Sequence, residues 1–345
     1  AETAELDRAL ATAESVPRSD LYARGARGDV YSERAFLAAS DGRWDDAIAA
    51  VAGHLEVHAP DRCVVAVALD DERKLAVVRD EAGHAFGELG RRQTVIPPPA
   101  ELVPDALRAR VKGCAELHVL ALPPLNGRPD LLPAELAWSY GAGTPSPSVA
   151  SAAPPRRLIV TEVTPPPSLT LPPLQPYTAP PDRPAGLDRV LRGGQATPAR
   201  VLGELPDADE IELDVHGFID LGVSDASMLV LSTDAKGRWA LTANDLKQLH
   251  LTRAPLVILG ACNAATRAPA MHDAWSLPQA FVIAGARAVF GSAAPIPDVA
   301  SDRFFNDVQS RIHAGATPAI ALRDARMQAL RDPHGAWTRD VMLFQ

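Results

Sequence analysis

The stretch "IELDVHGFID" (residues 211–220) decides how the chain is read. It opens as an apolar run of the kind buried on both faces of a sheet, then stops on His216-Gly217. Working outward, similar runs recur with helical stretches between them. "RRLIVTEV" reads as a strand, "TPARVLGEL" as a helix, and "SMLVLSTDAKGRWAL" as a hairpin turning at Lys236-Gly237. "TANDLKQL" reads as a helix with Thr242 and Asp245 spaced as a capping box. "PLVILG" and "RAVFGS" are strands separated by the helix "SLPQAFVIAGA". Two helices, "ASDRFFNDVQSRIHAG" and "TPAIALRDARMQALR", close the pattern. Continuous strands of Val, Ile and Leu, each separated by a helix, predict an open α/β fold: a mostly parallel sheet with helices on both faces.

The N-terminal third has a different texture. "AELDRALATAESV" and "DVYSERAFLAASDGRWDDAIAAVAGHL" are helical, with Gly42 marking a break. The resulting helix pair resembles the end of a tetratricopeptide (TPR) array and reads equally well as an ordinary helical cap, since repeats need stacking partners. From residue 62, "RCVVAVAL" and "KLAVV" suggest a hairpin, "AELVPDALRARVKG" a helix and "ELHVLAL" a strand. Two runs, "GAGTPSPSVASAAPP" and "TPPPSLTLPPLQPYTAPPDRPAG", are too rich in Pro, Gly and Ser for regular structure and read as surface loops or walls of a substrate channel. The expected division is 1–57 helical, 58–150 an N-terminal α/β part, and 151–345 the main α/β domain.

Composition narrows the function. At 345 residues and 47% hydrophobic, the chain has material for more than one packed unit. Its 34 basic and 43 acidic residues give a net charge of -9 with no basic block, which argues against nucleic acid or an anionic membrane as partner. No apolar run approaches the roughly 18–20 residues of a membrane span. The expected location is the cytoplasm, although the sequence begins without Met, which leaves room for an upstream segment. Three scattered cysteines, Cys63, Cys114 and Cys262, predict reduced thiols and no disulfide framework.

In open α/β sheets the ligand crevice lies beyond the carboxyl ends of the strands. His216 directly follows "IELDV", and Cys262 directly follows "LVILGA". Adjacent parallel strands would deliver both side chains to one rim. The pairing makes chemical sense because a thiol is mostly protonated at neutral pH. A nearby imidazole accepts its proton, raises its nucleophilicity and later protonates a leaving amine. Gly217 would let backbone approach a substrate carbonyl, so that its N–H and that of Cys262 could hold an oxyanion. Taken singly, each residue reads as a loop histidine or a small core cysteine. Cys114 and His118 are too few to make a metal site, and no metal or cofactor is expected. "GVSDA" (222–226) imitates a nucleophile elbow but is followed by a hairpin strand rather than a helix.

With these residues in view, residues 117–331 resemble the CHAT domain, a caspase-like module related to caspases and separase and often joined to tetratricopeptide repeats in bacteria. The likeness rests on "LLPAELAWS", "LDVHGF", "LTANDLKQLHLTRAPLVILGACNAA" and "LPQAFVIAGARAVFGSAAPIPD". The 46 residues from His216 to Cys262 are similar to the spacing of about 50 in caspases. The resemblance implies a metal-free cysteine endopeptidase acting on a protein substrate, with His216 as general base and Cys262 as nucleophile. It also implies a regulatory protein partner reached through the N-terminal helices. Segment 58–150 would then complete the sheet or form an inactive caspase-like companion.

The substrate groove implied in this way includes Glu162, Gly260, Asn263, Ser292, Ala293 and Asp298. The family's usual Ala-Gly-His-Gly, Cys-Glu-Thr-Gly and Leu-Trp-Pro are replaced by Asp214-Val215-His216-Gly217, Cys262-Asn263-Ala264-Ala265 and Ala293-Ala294-Pro295. Relatives that cut after Arg or Lys often carry Asp where this chain has Gly260. The expectation is therefore a small or apolar residue before the scissile bond, with Glu162 as the opposing feature. Two other readings stand beside the endopeptidase: a catalytically silent interaction module, and a hydrolase or acyltransferase using the same dyad on a small molecule.

Overall fold

The computed structural model describes residues 2–16, 21–143, 154–177, 187–219, 227–246, 248–266 and 276–345. The elbow look-alike at 222–226, most of the first Pro-rich run and the end of the second lie outside them. The chain divides into two compact units at Gly143. No described helix is long and apolar enough to cross a membrane.

The first unit opens with helices α1 (Glu2–Glu14), α2 (Leu21–Ser40) and α3 (Trp44–Leu55). Gly42 takes a left-handed φ of 72° between α2 and α3, and Asp45 and Asp46 favour the start of α3 by complementing its dipole. Phe36, Ile48 and Val51 pack on Val64, Ala66, Leu75 and Val77 of the sheet beneath. Each of the Val, Leu, Ile and Phe side chains among these contributes roughly 1.5–3 kcal/mol on burial. That sheet holds β1 (Val64–Leu69), β2 (Arg73–Arg79), β3 (Ala85–Arg91), β4 (Leu117–Ala121) and β5 (Trp138–Tyr140), in the order β3-β2-β1-β4-β5. The helix expected over 100–113 is split into α4 (Pro99–Leu102) and α5 (Asp105–Arg110). Pro104 is the cause: it offers no N–H and forces Val103 out of the helical region.

The cysteine expectation is corrected in this unit. Cys63 lies just before β1 rather than inside it, with a left-handed φ of 57°. Cys114 follows α5, and the two form a disulfide with their Cα atoms 5.6 Å apart. Fifty-one residues separate them in sequence, a distance that says nothing about their separation in space. Cys262 is the one free thiol.

The second unit carries β6 (Arg156–Thr161), β7 (Leu187–Arg192), α6 (Pro198–Glu204), β8 (Glu210–Asp214), β9 (Gly217–Ile219), β10 (Ser227–Val230), β11 (Ala240–Thr242) and α7 (Ala243–Leu246). It continues with β12 (Leu256–Gly260), α8 (Leu277–Ile283), β13 (Ala288–Ser292), α9 (Asp298–His313), α10 (Pro318–Ala329) and β14 (Val341–Phe344). The main strands run β14-β13-β12-β8-β6-β7, all pairs parallel except β13 with β14. This is the α/β fold with a mostly parallel sheet that the alternation predicts. The hairpin of β10 and β11 joins β9 in a small antiparallel sheet, with Gly237 at φ 81° in the expected turn. The Asp245 carboxylate accepts the Thr242 N–H at 2.9 Å, half of the capping box read from sequence.

Charged residues pin the starting ends of the central strands. Buried Arg157 on β6 donates to Glu210 on β8 (2.9 Å) and to Asp188 on β7 (3.1 Å), and His313 of α9 sits 2.6 Å from the other Glu210 oxygen. Removing one partner of a buried ion pair of this kind is destabilising, because it leaves an uncompensated buried charge. The opposite ends of the same strands are free to carry chemistry.

Candidate active site

Strand register brings the two candidate catalytic residues together. Asp214 pairs with Gly260, the last residues of β8 and β12, so the chain two residues further on is His216 in one case and Cys262 in the other. The strands are parallel neighbours, and both residues leave the sheet at the same rim. Contact is direct at the next position. A Cβ on Gly217 would lie 1.8 Å from the Cys262 carbonyl oxygen and 2.9 Å from its carbonyl carbon. Only glycine fits there.

His216 is half-buried, and its Nε2 lies 2.7 Å from the carbonyl oxygen of Pro172. A carbonyl only accepts, so Nε2 carries the proton and Nδ1 is the basic nitrogen of the neutral ring. The Pro172 carbonyl belongs to the second Pro-rich run. That run is tied down further along, where the Gln175 N–H donates to Asp298 (2.8 Å) and the Tyr177 N–H to Glu162 (3.2 Å). Proline content marked this segment as extended, but no signal in the sequence marks a main-chain acceptor.

Cys262 is half-buried in the turn after β12, and its Sγ receives the Ile296 N–H at 3.4 Å. Asn263 is left-handed at φ 56°, a conformation Asn tolerates better than most residues, and its N–H donates to the Ala294 carbonyl at 3.2 Å. The Ala265 N–H reaches the Ser292 carbonyl at 2.9 Å, and the Ser227 hydroxyl donates to the Asn263 carbonyl at 3.3 Å. The thiol is thus held by a turn stitched to the end of β13 and to β10.

The proposed groove residues separate into two groups. Gly260, Asn263 and Ala293 lie at the ends of β12 and β13 beside the thiol, whereas Ser292 is fully buried with its hydroxyl bonded to Ala294 at 2.9 Å. Glu162 follows β6 at a left-handed φ of 49° and sits 3.7 Å from Arg192. Asp298 opens α9.

A row of carboxylates joins β8 to α9, and of its members the sequence had singled out Asp298 alone as a groove residue. Asp214 is buried, accepts the Thr161 hydroxyl at 3.1 Å, and faces the negative charges of Asp302, Asp298 and Glu212. Burial, then the charge of Asp302, pushes its carboxyl up to about 7. Asp302 rises to about 6 through burial and the neighbouring Asp298 and Glu212. The spacing of Asp298 and Asp302, four apart on one helix, was the available signal. Among the described residues, no three His, Cys, Asp or Glu side chains gather to hold a metal ion.

Residues 172–341 match the family model of the CHAT domain, and this part of the chain is a CHAT domain. Among solved structures, the chain is similar to Saccharomyces cerevisiae separase in its complex with securin, at 8% identity and a TM-score of 0.43. That likeness covers 66% of this chain and 15% of the separase chain. It is also similar to the Arg-specific cysteine proteinase gingipain R, at 11% identity and a TM-score of 0.34, over 46% of this chain and 37% of that one. The pro- and mature-domain complex of Porphyromonas gingivalis RgpB gives 13% identity and a TM-score of 0.33, with the same coverage. No curated protein matches the sequence.

Proposed function

We propose that the chain is a caspase-like cysteine endopeptidase in which Cys262 attacks a peptide carbonyl and His216 moves the proton. The observation that carries this reading is the level exit of His216 and Cys262 from adjacent parallel strands, with Gly217 in backbone contact with Cys262. In the proposed cycle the Pro172 carbonyl holds the Nε2 proton, which leaves Nδ1 to take the proton of the thiol. The thiolate adds to the carbonyl, and the oxyanion is held by the N–H groups of Gly217 and Cys262. Imidazolium then protonates the departing amine, and water hydrolyses the thioester. One oxyanion donor of this kind is worth about 3 kcal/mol in the transition state.

A single comparison tests the assignment. Proteome digests with the wild-type chain and with Cys262→Ala are compared for new N-termini. Termini produced only by the wild type support the reading, and the same termini from both proteins overturn it. A second reading, a catalytically silent interaction module, draws on the bond from the Ile296 N–H to Cys262 Sγ, which occupies the sulfur with main chain. New termini from the wild type alone exclude that reading too.

A further inference from the structure

The second unit holds a groove of 630 Å³ between α9, α10 and the 3-10 stretch Pro333–Asp340. Phe304 and Trp337 meet edge to face in its lining, with ring centroids 5.3 Å apart, and Val299 is 49% exposed beside them. The charged lining is predominantly acidic, with Asp298, Asp307 and Asp332 against Arg303, alongside His334. Asp307 shares its charge with Arg311 at 3.1 Å, and Asp332 accepts the His334 N–H. Gln175 and Pro297 also line the groove. Pro297 directly follows Ile296, whose N–H touches the Cys262 sulfur, so the groove begins one residue from the site.

We infer that this groove receives the substrate polypeptide to one side of the scissile bond, through a segment that places Lys or Arg next to an apolar side chain. The inference rests on the endopeptidase reading for its occupant. A lining that combines aromatic side chains with carboxylates suits a cationic side chain, whose methylene stem lies on apolar surface while its charged head stays at the water edge. Ion pairs at such an edge are individually weak and screened by salt, so binding there depends on both the apolar contact and the charge.

The test uses fluorescein-labelled 12-residue peptides, one alternating Lys with Leu and one alternating Glu with Leu, titrated onto the full chain carrying Cys262→Ala. Anisotropy is expected to show the Lys peptide binding at least tenfold tighter than the Glu peptide. Asp307→Asn with Asp332→Asn should weaken it at least fivefold, and Val299→Lys at an exposed position should abolish it. Equal binding of the two peptides, or binding indifferent to these changes, overturns the inference. The two proposals fail separately. Lys-peptide binding that follows the groove variants, on a chain whose Cys262 cleaves nothing, keeps the groove and removes the endopeptidase. Cleavage by Cys262 with a KM unmoved by the groove variants removes the groove alone.

Discussion

Gly217 lies against the backbone of Cys262, so that a methyl group in place of its hydrogen would fall 1.8 Å from the Cys262 carbonyl oxygen. The obstructing atoms are main chain and have no rotamer to relax into. Gly217→Ala must therefore move β9 or the turn that carries the thiol. Overpacking of this kind costs about 1–3 kcal/mol, roughly 2–4 °C of Tm per kcal/mol in a domain of this size. The expected outcome is a lower Tm together with at least a tenfold slower alkylation of Cys262 by iodoacetamide. Unchanged melting and unchanged alkylation would contradict the contact.

The Pro172 carbonyl at 2.7 Å from His216 Nε2 makes a spectroscopic prediction. In ¹⁵N-labelled protein above pH 8, His216 should be the Nε2–H tautomer, with Nδ1 bearing the lone pair. Because Cys63 and Cys114 are bonded to each other, iodoacetamide reports on Cys262 alone, and His216→Ala should slow its alkylation at least tenfold at pH 7. An Nδ1–H tautomer would rule out the proton route, and an unchanged alkylation rate would remove His216 as the activating base.

Much of this arrangement was readable in the sequence because a parallel strand buried on both faces announces itself. "LVILG" is a continuous apolar run and "IELDV" sets Ile, Leu and Val around Glu212 and Asp214, and the residue types just beyond both carry the chemistry. What stayed hidden depends on distance in space. The Pro172 acceptor is a carbonyl that any residue would supply. Cys63 and Cys114 meet only after β1 and α5 have packed. The strand β14 is four residues long and has too few positions to show a period. Its place is held by buried Arg326, which donates to the carbonyls of Thr338 (3.1 Å) and Val341 (2.6 Å). Asp214 stood out in the sequence only as a departure from the family's motif before His216, whereas in the fold it stands level with Gly260 and is bonded to Thr161.

The Cys63–Cys114 bridge closes a loop of 51 residues in the first unit. On the chain-entropy account, a loop of that length stabilises the folded unit by about 4 kcal/mol. Cys63→Ser with Cys114→Ser should lower the denaturant midpoint of the first unit accordingly, and reducing agent should do the same to the wild type. Mass spectrometry of the unreduced chain is expected to recover the peptides of residues 63 and 114 as one linked species. Two separately alkylated peptides from protein kept under air would exclude the bridge.

Asp214 gives the second unit a pH dependence whose sign follows from burial. In the folded chain its carboxyl is pushed up to about 7, while in the unfolded chain it returns to the ordinary value of about 4. Between those values the folded state holds a proton that the unfolded state has released, so stability falls as pH rises through the window. Asp302, raised to about 6, acts in the same direction, and the two titrate as a coupled pair. The groups facing them are Thr161 from β6, Glu212 from β8 itself and Asp298 from α9, and every ionisable one among these is acidic. Asp214→Asn keeps a group able to bond with Thr161 and removes the charge. It should therefore leave Tm close to wild type at pH 4.5 and raise it at pH 8. A stabilisation on the order of 2 kcal/mol corresponds to at least about 4 °C. Thermal melts of both proteins across that range decide the matter: a difference that stays constant with pH, or one that grows toward acid, would mean that Asp214 is ionised in the folded chain at neutral pH and that its negative neighbours are compensated.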